Sequence, residues 1–488
     1  METSLDIQFW AIRKREGRKK PYELRWRVGK QEHSRSFLTK VLAQTHQAKL
    51  IAAAGVVGEE WDVGTGEPVS WGRKQATWFD HATALAAREW DGAAGNTRRN
   101  IAISLAPITL LMTDPSAKAR RTRPSDKALR VALQDWAFRP AERDADRPAE
   151  ITEALTWLAA NSRPVALLAD NEHLRALLAA LARKNNGGTF AAGTLRMRRG
   201  ILHRALDFAV ERKLISVNPL LGIRTRRSFS DDSVSPVMVP TLEQARRLLR
   251  AVHDLPSTTA GQRGRRLYAF FAVMFFAGLR PAEGLNLRVT NCELPQTGWG
   301  RLTLTGSSPQ VGTLWTDDGA LHEERSLKHR SAKAVRIVPI PPELVTILRG
   351  HLEEFPPAPD GRLFHDGPGH GRVTFSMYSK TWIRARKAAL TAPEFASKLA
   401  QRPYDLRHAY ASTLLQAHVP VAEIARRLGH SIRVLLSTYA HWVDHSEDAV
   451  NAQIEAALSG ETITSKAVIS ENAIDGPATG QASERQAA

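Results

Sequence analysis

Residues 402–439 read RPYDLRHAYASTLLQAHVPVAEIARRLGHSIRVLLSTY and bring Arg407, His408, His430 and Tyr439 into one short stretch. These are the residue types that phosphodiester chemistry needs when no metal takes part. A guanidinium offers a planar fork of donors that matches two phosphate oxygens. A phenol is a nucleophile able to form a covalent ester with phosphorus. A plainer reading of the same stretch is a helix-turn-helix, because AEIARRLGHS, a small helix and a glycine turn before a third helix, is common in DNA-binding regulators that cleave nothing. The segment by itself leaves both readings open.

An arginine upstream separates them. Arg280 follows a long apolar run in FFAVMFFAGLRPAEGLNL, so it should stand at the mouth of a buried helix rather than in a surface salt bridge. With Arg280 included, the chain resembles the tyrosine recombinase (phage integrase) family. That family's first box, small-Gly-Leu-Arg-x-x-Glu, is met by Ala277, Gly278, Leu279, Arg280 and Glu283. Its second box is His-x-x-Arg-His, then Leu-Gly-His, then a tyrosine nine residues on. Here it reads Tyr404, Arg407, His408, Leu428, Gly429, His430 and Tyr439, with Tyr404 in place of the first histidine. The boxes fall in the right order over roughly residues 235–458 and are specific together, whereas GLR or LGH alone is weak. The wording WTDDG, LKHR, RIVPIPPELV and RPYDLRHA further resembles integrases of actinobacterial phages and integrative elements.

The resemblance implies a role for each residue. Arg280 and Arg407 hold the scissile phosphate and stabilise the charge that builds on it. Tyr439 is the nucleophile, and capturing a strand as a 3′-phosphotyrosine ester keeps the bond energy, so resealing needs no ATP. A lysine on a strand-to-strand hairpin protonates the leaving 5′-hydroxyl; Lys328 is favoured by the LKHR wording and Lys333 is the fallback. His430 donates to a non-bridging oxygen. Glu283 orients Arg280, and Asp405 has no assigned role. His408 either supports the network or is a packing histidine, and Tyr404 either donates to the phosphate or only packs. No cofactor or metal is called for, and the histidines lack ligand spacing.

The elements that must position these groups follow from pattern. Pro403 opens a helix whose Leu406, Tyr410, Thr413 and Leu414 recur at helical spacing. Pro420 opens a second helix, and Gly429 is placed to end it. Tyr268 to Leu279 reads as a buried helix, too short to cross a bilayer. GRLTLTG and AVRIVPIP read as strands, while ELVTILRGHLEEF and SMYSKTWIRARKAAL read as helices. Thr241 and Gln244 form a capping box where the catalytic domain begins.

The chain has 488 residues, a formal charge of +18 and a pI near 10.3, which asks for an anionic partner, DNA before RNA or a membrane surface. One cysteine, Cys292, excludes an intramolecular disulfide and a cysteine-rich zinc cluster, and reads as a structural thiol. No signal peptide or membrane span is visible, so the expected place is the cytoplasm, on the nucleoid.

The expected fold class is mainly α with small antiparallel sheets (α+β), in several domains. Residues 1–65 read as two strands and a helix from about Leu42 to Ala54, an arm-type DNA-binding domain. Residues 71–227 read as a helical core-binding domain, with a loop over 114–127. Arg196, Arg198 and Arg199 within it track phosphates or simply line a solvated face. A linker covers 228–240, with mixed charge, serine and proline already from 224. The catalytic domain covers 241–458, and 459–488 is a disordered tail. The resemblance implies attachment-site duplex DNA as substrate, a homotetramer on it, and an excisionase or DNA-bending host factor as accessory. Two rivals keep the basic charge: a non-catalytic regulator, and a type IB topoisomerase that relaxes DNA without site choice. The catalytic set argues against the first, and the N-terminal module against the second.

Overall fold

The computed structural model describes residues 2–72, 76–140, 146–184, 186–223, 234–256, 262–327 and 334–439, with 442, 451, 454–455 and 458–459. Two compact units divide the chain: residues 1–230 with 311–320, and residues 231–310 with 321–488. The fold is mainly helical with small antiparallel sheets, as the pattern implies.

In the first unit, Tyr22–Val28 is the central strand. Leu24, Trp26 and Val28 alternate onto its inner face and are buried, which is the period of a half-covered sheet. A two-residue turn with Gly29 at φ 58° returns the chain into Gln31–Phe37, and Ile7–Phe9 and Arg13–Lys14 pair on the opposite edge. The helix Lys40–Ala54, capped by Thr39, lays Leu50 against that face, and Trp61 completes a small core. The helical part has a separate core, in which Trp78, Leu105, Leu133, Leu158 and Leu202 meet. So the expected arm-type and core-binding segments share one compact unit while keeping distinct apolar clusters.

Two expectations are corrected here. The stretch 114–127 is not simply a loop: Ser116 and Ser125 accept from the backbone N–H groups of Ala119 (3.2 Å) and Ala128 (3.1 Å) and so open the helices Ala117–Arg121 and Asp126–Val131. Serine capping outweighs the proline and charge that suggested a loop. The first unit also takes in residues 311–320, where Trp315 is buried and the Arg98 guanidinium forks onto the Asp317 carboxylate at 2.6 and 3.1 Å.

In the second unit the helix Arg263–Phe276 is buried on every side from Ala269 to Phe275, so it is the axis around which the other helices pack. The helices Leu242–His253, Pro342–Glu354, Phe375–Ala389 and Asp405–Gln416 lie against it. Thr241 and Gln244 make the reciprocal capping bonds at 3.2 and 3.0 Å. Gly300–Leu304 is the middle strand of three, between Cys292–Glu293 and Arg336–Ile340. The linker residues 224–233 and the tail beyond 459 lie outside the described residues. Among the described residues no helix is long and apolar enough to cross a membrane.

Candidate active site

The site is built around one carboxylate. After the buried helix ends, Gly278 turns the chain at φ 62°, and a side chain there would meet the Tyr410 ring at 2.5 Å and Leu428 at 2.8 Å. Arg280 and Pro281 then start a single helical turn whose third residue is Glu283. The Glu283 carboxylate is 2 % exposed and accepts four hydrogen bonds: the Arg280 backbone N–H (2.8 Å), the Arg280 guanidinium (2.8 Å), and both terminal nitrogens of Arg336 (3.0 and 2.7 Å). The Arg407 guanidinium lies 3.9 Å away. Burial pushes the Glu283 pKa up, but Arg336, Arg407 and Arg280 outweigh it and hold it at about 2. Three guanidinium groups against one carboxylate leave a net charge of +2 in a largely dry setting. That is a standing attraction for an anion.

Arg336 is the functional residue that sequence reading passed over. It sits on the inner face of its strand in alternation with Val338 and Ile340, and it is 3 % exposed. An arginine in register with two buried aliphatic residues was the available signal, since buried charge is kept only when paired. Gly429 makes room for it. That residue caps the helix Val421–Leu428 in the left-handed region, and a Cβ there would lie 2.4 Å from an Arg336 terminal nitrogen.

Arg407 has no exposed surface. It donates to the Gly278 carbonyl, to the Leu428 carbonyl (2.7 Å) and to His430 Nε2 (2.8 Å). Arginine can only donate, so His430 Nε2 accepts and its proton sits on Nδ1. That N–H is buried and has no partner among the described residues, which is costly unless a ligand supplies one. Burial and the charges of Arg407, Arg280 and Arg336 pull the His430 pKa down to about 3, so it stays neutral.

Tyr439 ends the helix Ile432–Tyr439 and is fully buried. Its hydroxyl is 2.8 Å from His408 Nδ1, and its ring faces Trp442 at 5.9 Å. Burial raises the phenol pKa. His408 is held at about 4 by burial and by Arg402 and Arg407. Tyr404, one turn before His408, presents its ring edge-on to that imidazole at 5.0 Å, and its phenol adds to the electrostatic surroundings of Arg280. Asp405 is buried and accepts from the Arg402 backbone N–H at 2.9 Å, so it braces the start of the helix Asp405–Gln416. That helix starts two residues after Pro403.

The structure therefore gathers Arg280, Glu283, Tyr404, Arg407, His408, His430 and Tyr439. Arg280, with 22 % of its side chain exposed, is the guanidinium that faces solvent. Lys328 and Lys333 lie outside the described residues. Of the arginine run in the first unit, Arg198 donates to the Leu181 carbonyl and stacks 4.0 Å over Phe190, and Arg199 donates to the Ile223 carbonyl. Cys292 is largely buried and its thiol is pushed up to about 12. Among the described residues no group of three or more His, Cys, Asp or Glu is arranged to hold a metal.

Residues 240–445 match the phage integrase family. The tyrosine recombinase XerC-like protein of Caldanaerobacter subterraneus subsp. tengcongensis is 23 % identical over 259 residues, covering 51 % of this chain and 62 % of that protein. A tyrosine recombinase of Pseudothermotoga lettingae is 26 % identical over 195 residues, 40 % of this chain and 56 % of its own length. The chain thus spans less than two thirds of these curated relatives. Among solved structures, the Tn1549 transposon integrase in complex with transposon right-end DNA aligns with a TM-score of 0.50 at 16 % identity, over 78 % of this chain and 100 % of that one, a likeness of fold.

Proposed function

We propose that this chain, whose residues 240–445 match the phage integrase family, is a site-specific recombinase that cleaves and rejoins duplex DNA through a 3′-phosphotyrosine at Tyr439. The observation that carries the reading is the position of one helical turn, Tyr404–His408. It holds Arg407 against His430 and Glu283, and at the same time His408 against the Tyr439 hydroxyl. Phosphate-binding charge and nucleophile are thereby locked to a common element.

The proposed sequence runs as follows in chemical terms. The cluster's net positive charge draws a phosphodiester, and Arg280 meets it first because it faces solvent. Arg407 and the unpartnered His430 Nδ1–H then reach the non-bridging oxygens, where they favour the charge of the pentacoordinate transition state. Since Arg407 and Tyr439 are both fully buried in the free protein, engaging DNA requires the site to open. Lys328, or Lys333 in its place, protonates the leaving 5′-oxygen. Glu283 and Arg336 take no part in bond making. They keep the guanidinium groups aimed without the reorganisation that water would demand.

The substrate we propose is attachment-site DNA, joined or released by a homotetramer at the junctions of a mobile element, with an excisionase or DNA-bending protein setting direction. Residues 1–65 are the proposed arm-binding domain, 71–227 the core-binding domain and 241–458 the catalytic domain. Action on DNA would place the protein on the nucleoid. Tyr439→Phe is expected to keep DNA binding and lose the covalent adduct entirely, read on a denaturing gel after incubation with a nicked suicide duplex. An undiminished adduct would remove Tyr439 from the mechanism, and a wild-type protein that forms none would favour a non-cleaving regulator.

A further inference from the structure

His408 stands where the proposed chemistry has no assigned group: something must take the proton from the nucleophile. In the recombinase reading the first histidine of the second box would be the obvious acceptor, and here that position is Tyr404. A neutral phenol oxygen such as that of Tyr404 is a feeble base. His430 is also committed, its Nε2 lone pair being taken by Arg407. His408 Nδ1 lies 2.8 Å from the Tyr439 hydroxyl, within proton-transfer reach.

We propose that His408 is the catalytic base that deprotonates Tyr439, an inference that rests on the strand-cleaving reading above. The Tyr439 hydroxyl has no other hydrogen bond among the described residues. A fully buried phenol must place its proton somewhere, so the O–H donates to Nδ1 and the imidazole carries its own proton on Nε2. The groups facing the imidazole are Arg402, Tyr404 and Arg407 on its own segment and Tyr439 at the end of the helix Ile432–Tyr439, with Arg280 acting on the phenol across the site. The arginines and burial keep His408 neutral at pH 7, so its lone pair is available. A phosphodiester brings negative charge beside Arg407, offsets part of that field and makes the imidazole more basic when the proton must move.

The step balances. The Tyr439 O–H bond breaks and its proton passes to His408 Nδ1. The phenolic oxygen bonds to phosphorus as the bond from phosphorus to the 5′-oxygen breaks, and the leaving oxygen takes a proton from the lysine ammonium assigned to Lys328. On resealing, the 5′-hydroxyl returns that proton to the lysine, the phosphorus–tyrosine bond breaks, and the imidazolium gives its proton back to the phenolate.

The test pairs the base with the acidity of the nucleophile. A nicked duplex is first selected from a randomised library by covalent capture on the wild-type protein. Single-turnover cleavage of that duplex is then compared for His408→Asn and wild type, each with tyrosine or with site-specifically installed 3,5-difluorotyrosine at 439. The asparagine amide oxygen can accept the hydrogen bond but cannot take the proton. We expect His408→Asn to slow tyrosine cleavage by about a hundredfold or more, within the range of general-base contributions, and the penalty to shrink below about tenfold with the more acidic phenol. A penalty equal for both nucleophiles, or a His408→Asn protein as fast as wild type, overturns the assignment and leaves His408 a packing residue. If asparagine fails to fold by thermal melting, His408→Gln carries the same comparison. Failure of the wild type to capture any duplex sinks the strand-cleaving reading and this one with it, an outcome distinct from an unchanged penalty.

Discussion

Glu23 and Glu283 are both buried carboxylates that gather arginines, and those arginines lie in opposite surroundings. Glu23, on the central strand of the N-terminal sheet, meets Arg13 at 2.6 Å and Arg15 at 2.8 Å, but those arginine side chains are 48 % and 34 % exposed. Glu283 meets Arg336 at 2.7 Å with both groups almost wholly buried, and Arg407 beside it is dry as well. The first set keeps its guanidinium groups partly in water, where their charge is screened. The second has already given up its hydration at folding, so its geometry is fixed before any substrate arrives. The two charge clusters thus differ less in composition than in where the water is.

Removing one member of the dry cluster should be the largest effect. Glu283→Gln leaves Arg336 and Arg407 buried without their counter-charge, and breaking such a pair costs about 3–5 kcal/mol. Denaturant unfolding of the second unit should show that loss, and adduct formation should vanish with it. The double substitution Glu283→Leu with Arg336→Met sharpens the contrast. It should recover only part of the stability, because apolar groups of similar volume replace the pair while Arg407 stays buried without its counter-charge, and cleavage stays lost. A double variant that cleaves would mean Glu283 does not aim the guanidinium groups at all.

Acid should also test the dry cluster. In the second unit His351 and His408 are held at about 4 and His430 at about 3, against an ordinary 6.5, chiefly by burial. The unfolded chain therefore binds protons that the folded one refuses, and stability must fall as pH drops from about 6.5 toward those values. Glu283, depressed from 4.5 to about 2, adds a second loss of the same sign lower down. The melting temperature of the second unit should hold from pH 8 to about 6.5 and then decline steadily to pH 4. A flat profile over that interval would show that these groups are not the dry cluster described.

How far the sequence carried this picture depended on whether a residue announced itself locally. Arg280, Arg407, His430 and Tyr439 were legible because their spacing is a pattern, and the Thr241 capping box and the Gly429 helix end because their chemistry is confined to a few neighbours. Arg336 was not, since nothing within reach in the sequence says that a strand arginine will find a glutamate 53 positions away. The same holds for Trp315 and Asp317, whose partners Trp90 and Arg98 lie more than two hundred residues earlier. The Tyr404 substitution was visible, but its packing against His408 and the neighbouring His408–Tyr439 bond required the folded helix.

The smallest expected effect is at the exposed cluster, and it decides whether the comparison holds. Glu23→Gln removes the charge and leaves an amide that can still accept from Arg13 or Arg15. With both arginine ends in solvent, the lost Coulomb energy is offset by their better hydration and regained rotamer freedom. We expect a loss under about 1 kcal/mol in denaturant unfolding, and a coupling between Glu23→Gln and Arg13→Gln that fades as salt approaches 1 M, where the screening length is about 3 Å. The matching cycle between Glu283 and Arg336 should keep its coupling at the same salt, because ions do not enter a site that water has left. A Glu23 coupling as large and as salt-resistant as that of Glu283 would mean that the strand side chains, not exposure, set the strength. The distinction drawn between the two arginine clusters would then fail.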